Sequence, residues 1–293
     1  MKIGFVDIDS HHFPNLALMK LSAYHKQRGD EVEWAQSLLY YDKVYMAKVF
    51  DFTPDDVQAY QAEEIVKGGS GYDMSIKLPE EVEHSYPDYS LYGITDTAYG
   101  YLTRGCPRGC TFCIVADKEG RKSVKVADLS EFWQGQKNIK LLDPNLLACV
   151  EWKELLQQLS DSKAVIDFTQ GLDARLLDDE KVAAINQCKY KYLHFAWDNI
   201  GDTLTIKNLK KYVDKWSIRT KDCIVYVLTN FNSTHEEDLK RIYTLRDAGY
   251  TPYVMIYDKY HAPQITRYLQ RWCNNKIIFR SQPDFGKFDP KRG

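Results

Sequence analysis

Residues 1–105 contain no cysteine, and the whole 293-residue chain has seven. An odd number, mostly scattered, does not build the paired framework of a disulfide-stapled secreted domain. No run of residues approaches the ~20 apolar positions of a membrane span. The opening Met1-Lys2-Ile3-Gly4-Phe5-Val6-Asp7 has neither the long apolar core nor the cleavage site of a secretory leader. A marked excess of one charge is also missing. The net charge of -2 gives no global attraction to nucleic acid or to an anionic membrane surface. Internal repeats and low-complexity tracts are absent. The expected setting is therefore the reduced cytoplasm, with no membrane and no nucleic acid indicated. The chain is long enough for one large domain or two smaller ones.

Against that scarcity, three cysteines crowd into one loop, Arg104-Gly105-Cys106-Pro107-Arg108-Gly109-Cys110-Thr111-Phe112-Cys113-Ile114. The spacing is C-x3-C-x2-C. Four thiolates close the coordination of a zinc ion or an iron–sulfur cluster. Three hold a four-iron cluster and leave one iron open to a further ligand. The alternative is a zinc knuckle or a redox thiol group. Zinc wants a fourth ligand nearby, and the candidate histidines, His84 and His194, are remote in sequence.

Downstream of the loop, strand-like and helix-like segments alternate. The expected strands are Ala98–Thr103, Ile139–Asp143, Ala164–Thr169, Tyr192–Trp197, Cys223–Thr229 and Pro252–Tyr257. Between them, Glu151–Leu159 and Leu204–Trp216 gather their apolar residues on one face. Thr234-x-x-Glu237 forms a capping box, and Gly249 is a stop for the helix it opens. This alternation calls for a parallel sheet with right-handed crossovers. Six such units amount to three quarters of a TIM barrel. The cysteine loop follows the first strand, at the carboxyl-end side where sites on such sheets lie.

The cysteine spacing, Phe112 before the last cysteine, and Gly105 and Gly109 together resemble the signature of the radical S-adenosylmethionine (SAM) superfamily. The resemblance implies a 4Fe-4S cluster on Cys106, Cys110 and Cys113. It implies that the open iron chelates the amino and carboxylate groups of SAM. It implies a reductive cleavage to the 5′-deoxyadenosyl radical, which abstracts hydrogen from a substrate. A partial (β/α)6 TIM-type barrel is the fold it implies, and flavodoxin or ferredoxin the kind of electron donor. The backbone at Phe112 and Ile114 would then face the adenine, and Asp143 and Asn145 would hold the amino group. Many members have Gly-Gly-Glu at that place, where this chain has Leu142-Asp143-Pro144-Asn145. Gln170, Asp173, Arg175 and Asn230 complete the set at later strand ends. Arg175 is the candidate for a SAM carboxylate or a substrate anion, through its bidentate fork. Taken singly, each of these polar residues also suits a turn or a helix cap. No individual catalytic residue is assigned.

Residues 1–94 are expected to form a small Rossmann-like α/β domain with a linker, ahead of a barrel over 95–280 and a tail over 281–293. Lys2–Asp9 reads as a strand and Asn15–Arg28 as a helix stopped by Gly29. Thr53-Pro54-Asp55-Asp56 reads as a helix start. This plan, closed by Gly68-Gly69-Ser70-Gly71, is similar to the cobalamin-binding domain that precedes many radical SAM barrels. Asp9-Ser10-His11-His12-Phe13-Pro14 resembles the D-x-H-x-x-G motif of some cobalamin proteins, with Pro14 in place of the glycine. Cobalamin is thus a candidate second cofactor, and a cobalamin-dependent methyltransferase the alternative activity. A non-catalytic protein that binds the cluster and SAM for regulation is the alternative of another class. Cys149, Cys188, Cys223 and Cys273 stand alone and are expected in the core. Methylthiolating members, which need three further N-terminal cysteines, are disfavoured. So are members with a C-terminal auxiliary cluster.

Overall fold

The computed structural model describes residues 1–10 and 13–291. The chain is of the mixed α/β class with parallel sheets. It divides into two compact units. One comprises Met1–Gly100 with Ala127–Ile139, and the other Tyr101–Val126 with Lys140–Gly293. No helix among the described residues is long and apolar enough to cross a membrane.

The first unit opens with β1 (Lys2–Asp7), α1 (Leu16–Gln27), β2 (Glu31–Trp34), β3 (Tyr40–Ala47) and β4 (Gln61–Gly68). A short helix α2 (Glu80–Glu83) and β5 (Thr97–Gly100) follow. The strands β2-β1-β3-β4 lie in that order, all parallel. Alternate residues of β1 feed two cores. Ile3 and Phe5 pack with Leu18 and Leu21 of α1, whereas Val6 packs with Tyr41, Val44 and Met46. Asn15 starts α1 by accepting from the amides of Ala17 and Leu18 at 3.1 and 3.2 Å. Gly29, at φ 81°, follows its end.

Among the described residues, the second face of this sheet has no helix. The helix expected from Thr53-Pro54 does not form, and residues 54–60 are irregular. Local side-chain bonds compete for that backbone. The Lys48 ammonium donates to Asp55 at 2.6 Å and to the Thr53 carbonyl at 3.3 Å. Asp56 accepts from the Gln58 amide two residues on, at 2.9 Å. The turn after β4 needs its glycines for the chain's own packing. A Cβ on Gly69, at φ 94°, would stand 2.3 Å from the Lys48 carbonyl oxygen. Asp9 is buried and accepts from the amides of Val49 and Phe50, at 2.7 and 2.8 Å. His11 and His12 lie outside the described residues. Residues 127–139 return to this unit, where the Phe132 carbonyl accepts from Tyr89 at 2.6 Å.

The second unit carries β6 (Thr103–Arg104), α3 (Val115–Glu119) and β7 (Val124–Lys125), then the end of β8 (Asn138–Leu141). It continues through α4 (Trp152–Ser162), β9 (Val165–Phe168), α5 (Asp179–Gln187), β10 (Lys189–Tyr190) and β11 (Leu193–Ala196). The last elements are α6 (Thr203–Lys211), β12 (Cys223–Thr229), α7 (His235–Asp247), β13 (Thr251–Ile256), α8 (Gln264–Asn274) and α9 (Lys276–Ser281). β9 lies between β8 and β10. β11, β12 and β13 form a parallel set. One parallel bridge, Leu172 to Phe195, links the two groups just past β9. The Leu172 amide donates to the His194 carbonyl at 2.7 Å.

The capping box at Thr234 and Glu237 opens α7, and Gly249 sits at φ 88° after its end. α6 stops at Lys211, earlier than the expected helix to Trp216; Trp216 is buried nonetheless, beyond the helix. Arg241 of α7 is wholly buried. It donates to the carbonyls of Trp197 and Leu228, at 2.8 and 2.7 Å, and pairs with Asp238 at 2.5 Å. A buried cation thus clamps the carboxyl ends of β11 and β12 to one helix.

Candidate functional site

The cysteine loop leaves β6 and returns at α3, and its ends are tied together. Glu119 accepts from the Arg104 guanidinium at 2.9 Å and from the Gly105 amide at 3.1 Å. The Cys106 amide donates to the Gly120 carbonyl at 3.1 Å. Gly105 has φ 82°, and a Cβ there would stand 2.1 Å from the Lys122 carbonyl oxygen. Gly109, at φ 57°, is pressed by the Arg121 guanidinium, 2.3 Å from where its Cβ would be. At Gly105 both the dihedral and the space require glycine, whereas at Gly109 the dihedral alone favours it, since the tip of the Arg121 side chain can move.

The seven thiols fall into two groups. Cys106, Cys110 and Cys113 are free and half-buried, whereas Cys149, Cys188, Cys223 and Cys273 are buried in the core. Burial pushes the core thiols up, Cys149 to about 11 and Cys188 and Cys223 to about 12. Cys110 is raised as well, by burial first, with Arg108 opposing and Asp198, Cys106 and Cys113 adding to the rise. Among the described residues no group of three or more His, Cys, Asp or Glu side chains is arranged to hold a metal ion.

Asp143 is fully committed to holding the approach to this loop. Its carboxylate accepts from the Leu102 amide at 3.1 Å and from the Thr103 amide and hydroxyl at 2.6 and 2.7 Å. Burial pushes its carboxyl up to about 6, against those hydrogen bonds. Asn145, 2% exposed, is the residue that reaches the cysteines. Its amide nitrogen donates to the Cys106 sulfur at 3.5 Å and to Asp173 at 3.1 Å, while its side-chain oxygen is buried without a partner. Asp173 in turn receives Arg175 in a fork, Nε at 3.0 Å and Nη2 at 2.8 Å. Burial alone would raise Asp173; the hydrogen bonds from Arg175 and the charges of Arg175 and Arg108 outweigh it and hold the carboxyl below the usual range. One connected chain therefore runs Cys106–Asn145–Asp173–Arg175. It joins the cysteine loop to the ends of β8 and β9.

Arg175 is thus already paired. The freer guanidinium belongs to Arg108, inside the cysteine loop. Its nearest carboxylates, Asp198 and Asp202, both stand 3.9 Å away, and its buried Nε has no hydrogen-bond partner. Sequence reading passed over Arg108, although a basic residue between the first two cysteines was itself a signal. The aromatic wall was also only half seen. The Phe112 ring meets Phe231 edge-on at 5.5 Å, and Phe231 meets Tyr257 at 4.8 Å. Asn230, at φ 61°, spends its amide on the Tyr257 carbonyl at 2.8 Å and so positions that wall. Gln170 is exposed and Ile114 is half exposed. No family model matches the chain, and no curated protein matches it.

Proposed function

We propose that the second unit is a radical SAM enzyme acting in the cytoplasm, with a fold of the partial (β/α)6 barrel kind. The observation that carries the reading is the convergence on the cysteine loop. Three half-buried thiols, a guanidinium with an unpartnered Nε, a buried orphan amide oxygen and an aromatic wall come from four chain segments, each beyond the carboxyl end of a strand.

The donor set fits a four-iron cluster. Cys106, Cys110 and Cys113 would hold it, each on a different iron. Bound there, such a cluster would supply the one-electron reduction that cleaves SAM.

The protein's own groups bind and orient. Asn145 donates to the Cys106 sulfur and leaves its side-chain oxygen free to accept from an ammonium. Arg108 offers a guanidinium to a carboxylate, either that of SAM or that of an anionic substrate. Asp173 and Arg175 neutralise each other and hold Asn145 in place. Phe112, Phe231 and Tyr257 give a flat apolar group a surface and keep water off it. A small electron-transfer protein such as flavodoxin or ferredoxin is the natural reductant.

The test is anaerobic reconstitution with iron and sulfide, followed by SAM and dithionite. Formation of 5′-deoxyadenosine by the natural sequence, and none by the Cys106→Ala variant, is expected. Reconstituted protein that carries iron yet leaves SAM intact under strong reductant would overturn the enzymatic reading.

A further inference from the structure

The first unit has a cavity of about 530 Å3 beyond the carboxyl ends of β1 and β2. That volume is typical of small-molecule sites, about 300–1,000 Å3. Its walls include Phe5, Trp34, Tyr60 and Tyr92, together with two carboxylates, Asp7 and Asp56. Among the described residues no lysine, arginine or histidine lines it.

Among the described residues the two acids are held by neutral donors. Asp7 accepts from the Ser10 hydroxyl at 2.5 Å and the Tyr92 hydroxyl at 2.6 Å. Asp56 accepts from the Gln58 amide at 2.9 Å and the Tyr60 hydroxyl at 2.7 Å. Other carboxylates of the same unit are paired with cations. Asp30 meets the Met1 ammonium and His25, Asp55 meets Lys48, Asp88 meets Lys26 and Glu33 meets Lys2. The cavity therefore concentrates negative charge that the described residues leave without a cationic partner. Asp7 Oδ2 and both Asp56 oxygens each keep a lone pair beyond the one already engaged, whereas Asp7 Oδ1 accepts from both the amide and the hydroxyl of Ser10.

The aromatic groups define the rest. Trp34 is 39% exposed and meets Tyr92 edge-on at 5.1 Å. Its indole nitrogen is fixed by the Leu91 carbonyl at 3.1 Å. Such rings favour a flat apolar body and attract a cation to their faces. Phosphorylated ligands are disfavoured twice. The acids repel them, and residues 8–15, after β1, contain no glycine with which to bring backbone amides around a phosphate.

We propose that this cavity is a binding site for a small organic cation, an amine or amidine carried on a flat aromatic or heteroaromatic body. Asp7 and Asp56 take the cationic head, and Trp34 and Tyr92 take the body. The site is distinct from the cysteine loop, and its ligand is recognised without iron or SAM.

The test is calorimetric titration of the full-length protein, without iron or SAM, with three probes: tryptamine, indole-3-acetate and adenosine monophosphate. Tryptamine and indole-3-acetate share one body and differ in the sign of charge. Tryptamine is expected to bind with saturation, about tenfold or more tighter than indole-3-acetate, and the monophosphate not at all. Asp7→Asn and Asp56→Asn should each weaken tryptamine about threefold to tenfold, and Trp34→Ala by a similar factor. Asp56 lies in an irregular segment, so its variant keeps the test open if Asp7→Asn fails to fold. No saturable heat with tryptamine, equal or tighter binding of indole-3-acetate, or tryptamine binding untouched by Asp56→Asn and Trp34→Ala would each overturn the proposal.

Discussion

The two units use the ends of their parallel strands in opposite ways. In the first, groups that resemble cofactor ligands are consumed by the chain itself. Asp9 caps the Val49 and Phe50 amides, and Gly69 exists to clear the Lys48 carbonyl. In the second, the strand ends leave groups unspent: three half-buried thiols, the Asn145 oxygen and the Arg108 Nε. Asp143, the Asp173–Arg175 pair and the Asn230 amide there are used up structurally. A polar residue at a strand end is a ligand candidate only after its local hydrogen bonds have been counted. By that measure the second unit keeps unspent groups around its cysteine loop, and the first unit's open capacity lies in the cavity around Asp7 and Asp56 rather than in its glycine turn.

The largest expected effect separates the two classes of thiol. Changing Cys106, Cys110 and Cys113 together to Ala should abolish iron loading. Changing Cys149, Cys188, Cys223 and Cys273 to Ser should leave iron intact in whatever fraction folds. Iron analysis after anaerobic reconstitution checks this, and loss of half the iron in the folded core variant would erase the distinction.

Next in size is the clamp on the second unit's strand ends. Arg241→Met leaves Asp238 buried and unpaired and frees two carbonyls, at a cost of about 3–5 kcal/mol. Denaturant unfolding measures it. A loss below about 1 kcal/mol would show that the strand ends hold without the clamp.

The Asp143 carboxyl gives a pH signature. Its folded pKa, about 6, lies above the ordinary value of 3.8, so the protonated form is favoured by folding. Its contribution is greatest below pH 3.8 and is lost as pH rises through about 6. Asp143→Asn removes that slope. At neutral pH the variant should also lose about 1–3 kcal/mol, because its amide turns a donor toward the donors of Leu102 and Thr103. Unfolding curves at several pH values check both, and an unchanged slope in the variant would reject the assignment.

The smallest effect sharpens the comparison most finely. Gly69→Ala and Gly105→Ala each force a Cβ into a carbonyl oxygen at positive φ. Each should cost about 1–3 kcal/mol. Only Gly105→Ala should lower iron loading, since only that loop carries the thiols. Equal iron loss in both would mean that the glycines act through global stability alone.

Much of the second unit was legible in the sequence because its signals are local. The thiol spacing, the Thr234 capping box and the β-branched run of β12 each occupy one short window. The partners that make the site were not legible, because they are set by fold. Nothing in the sequence says that Arg175 is spent on Asp173 while the Arg108 Nε stays unpartnered, or that Phe231 lies against Phe112. The missing helix after Thr53 shows the converse. A good cap-and-proline signal lost to Lys48 and Asp56, whose side chains bond the same backbone. The first unit's cavity gave no sequence signal, since Asp7, Trp34, Asp56 and Tyr92 come from four separate segments.

The central claim is that the strand ends of the second unit join a cluster to SAM. It is tested most directly by electron paramagnetic resonance of the anaerobically reconstituted, dithionite-reduced protein, recorded with and without SAM. The account predicts about four irons per chain and a reduced-cluster signal that shifts when SAM is added. It predicts no cluster signal in the triple Ala variant of Cys106, Cys110 and Cys113. A zinc-loaded, colourless protein, or an iron signal that SAM leaves unchanged, would contradict it.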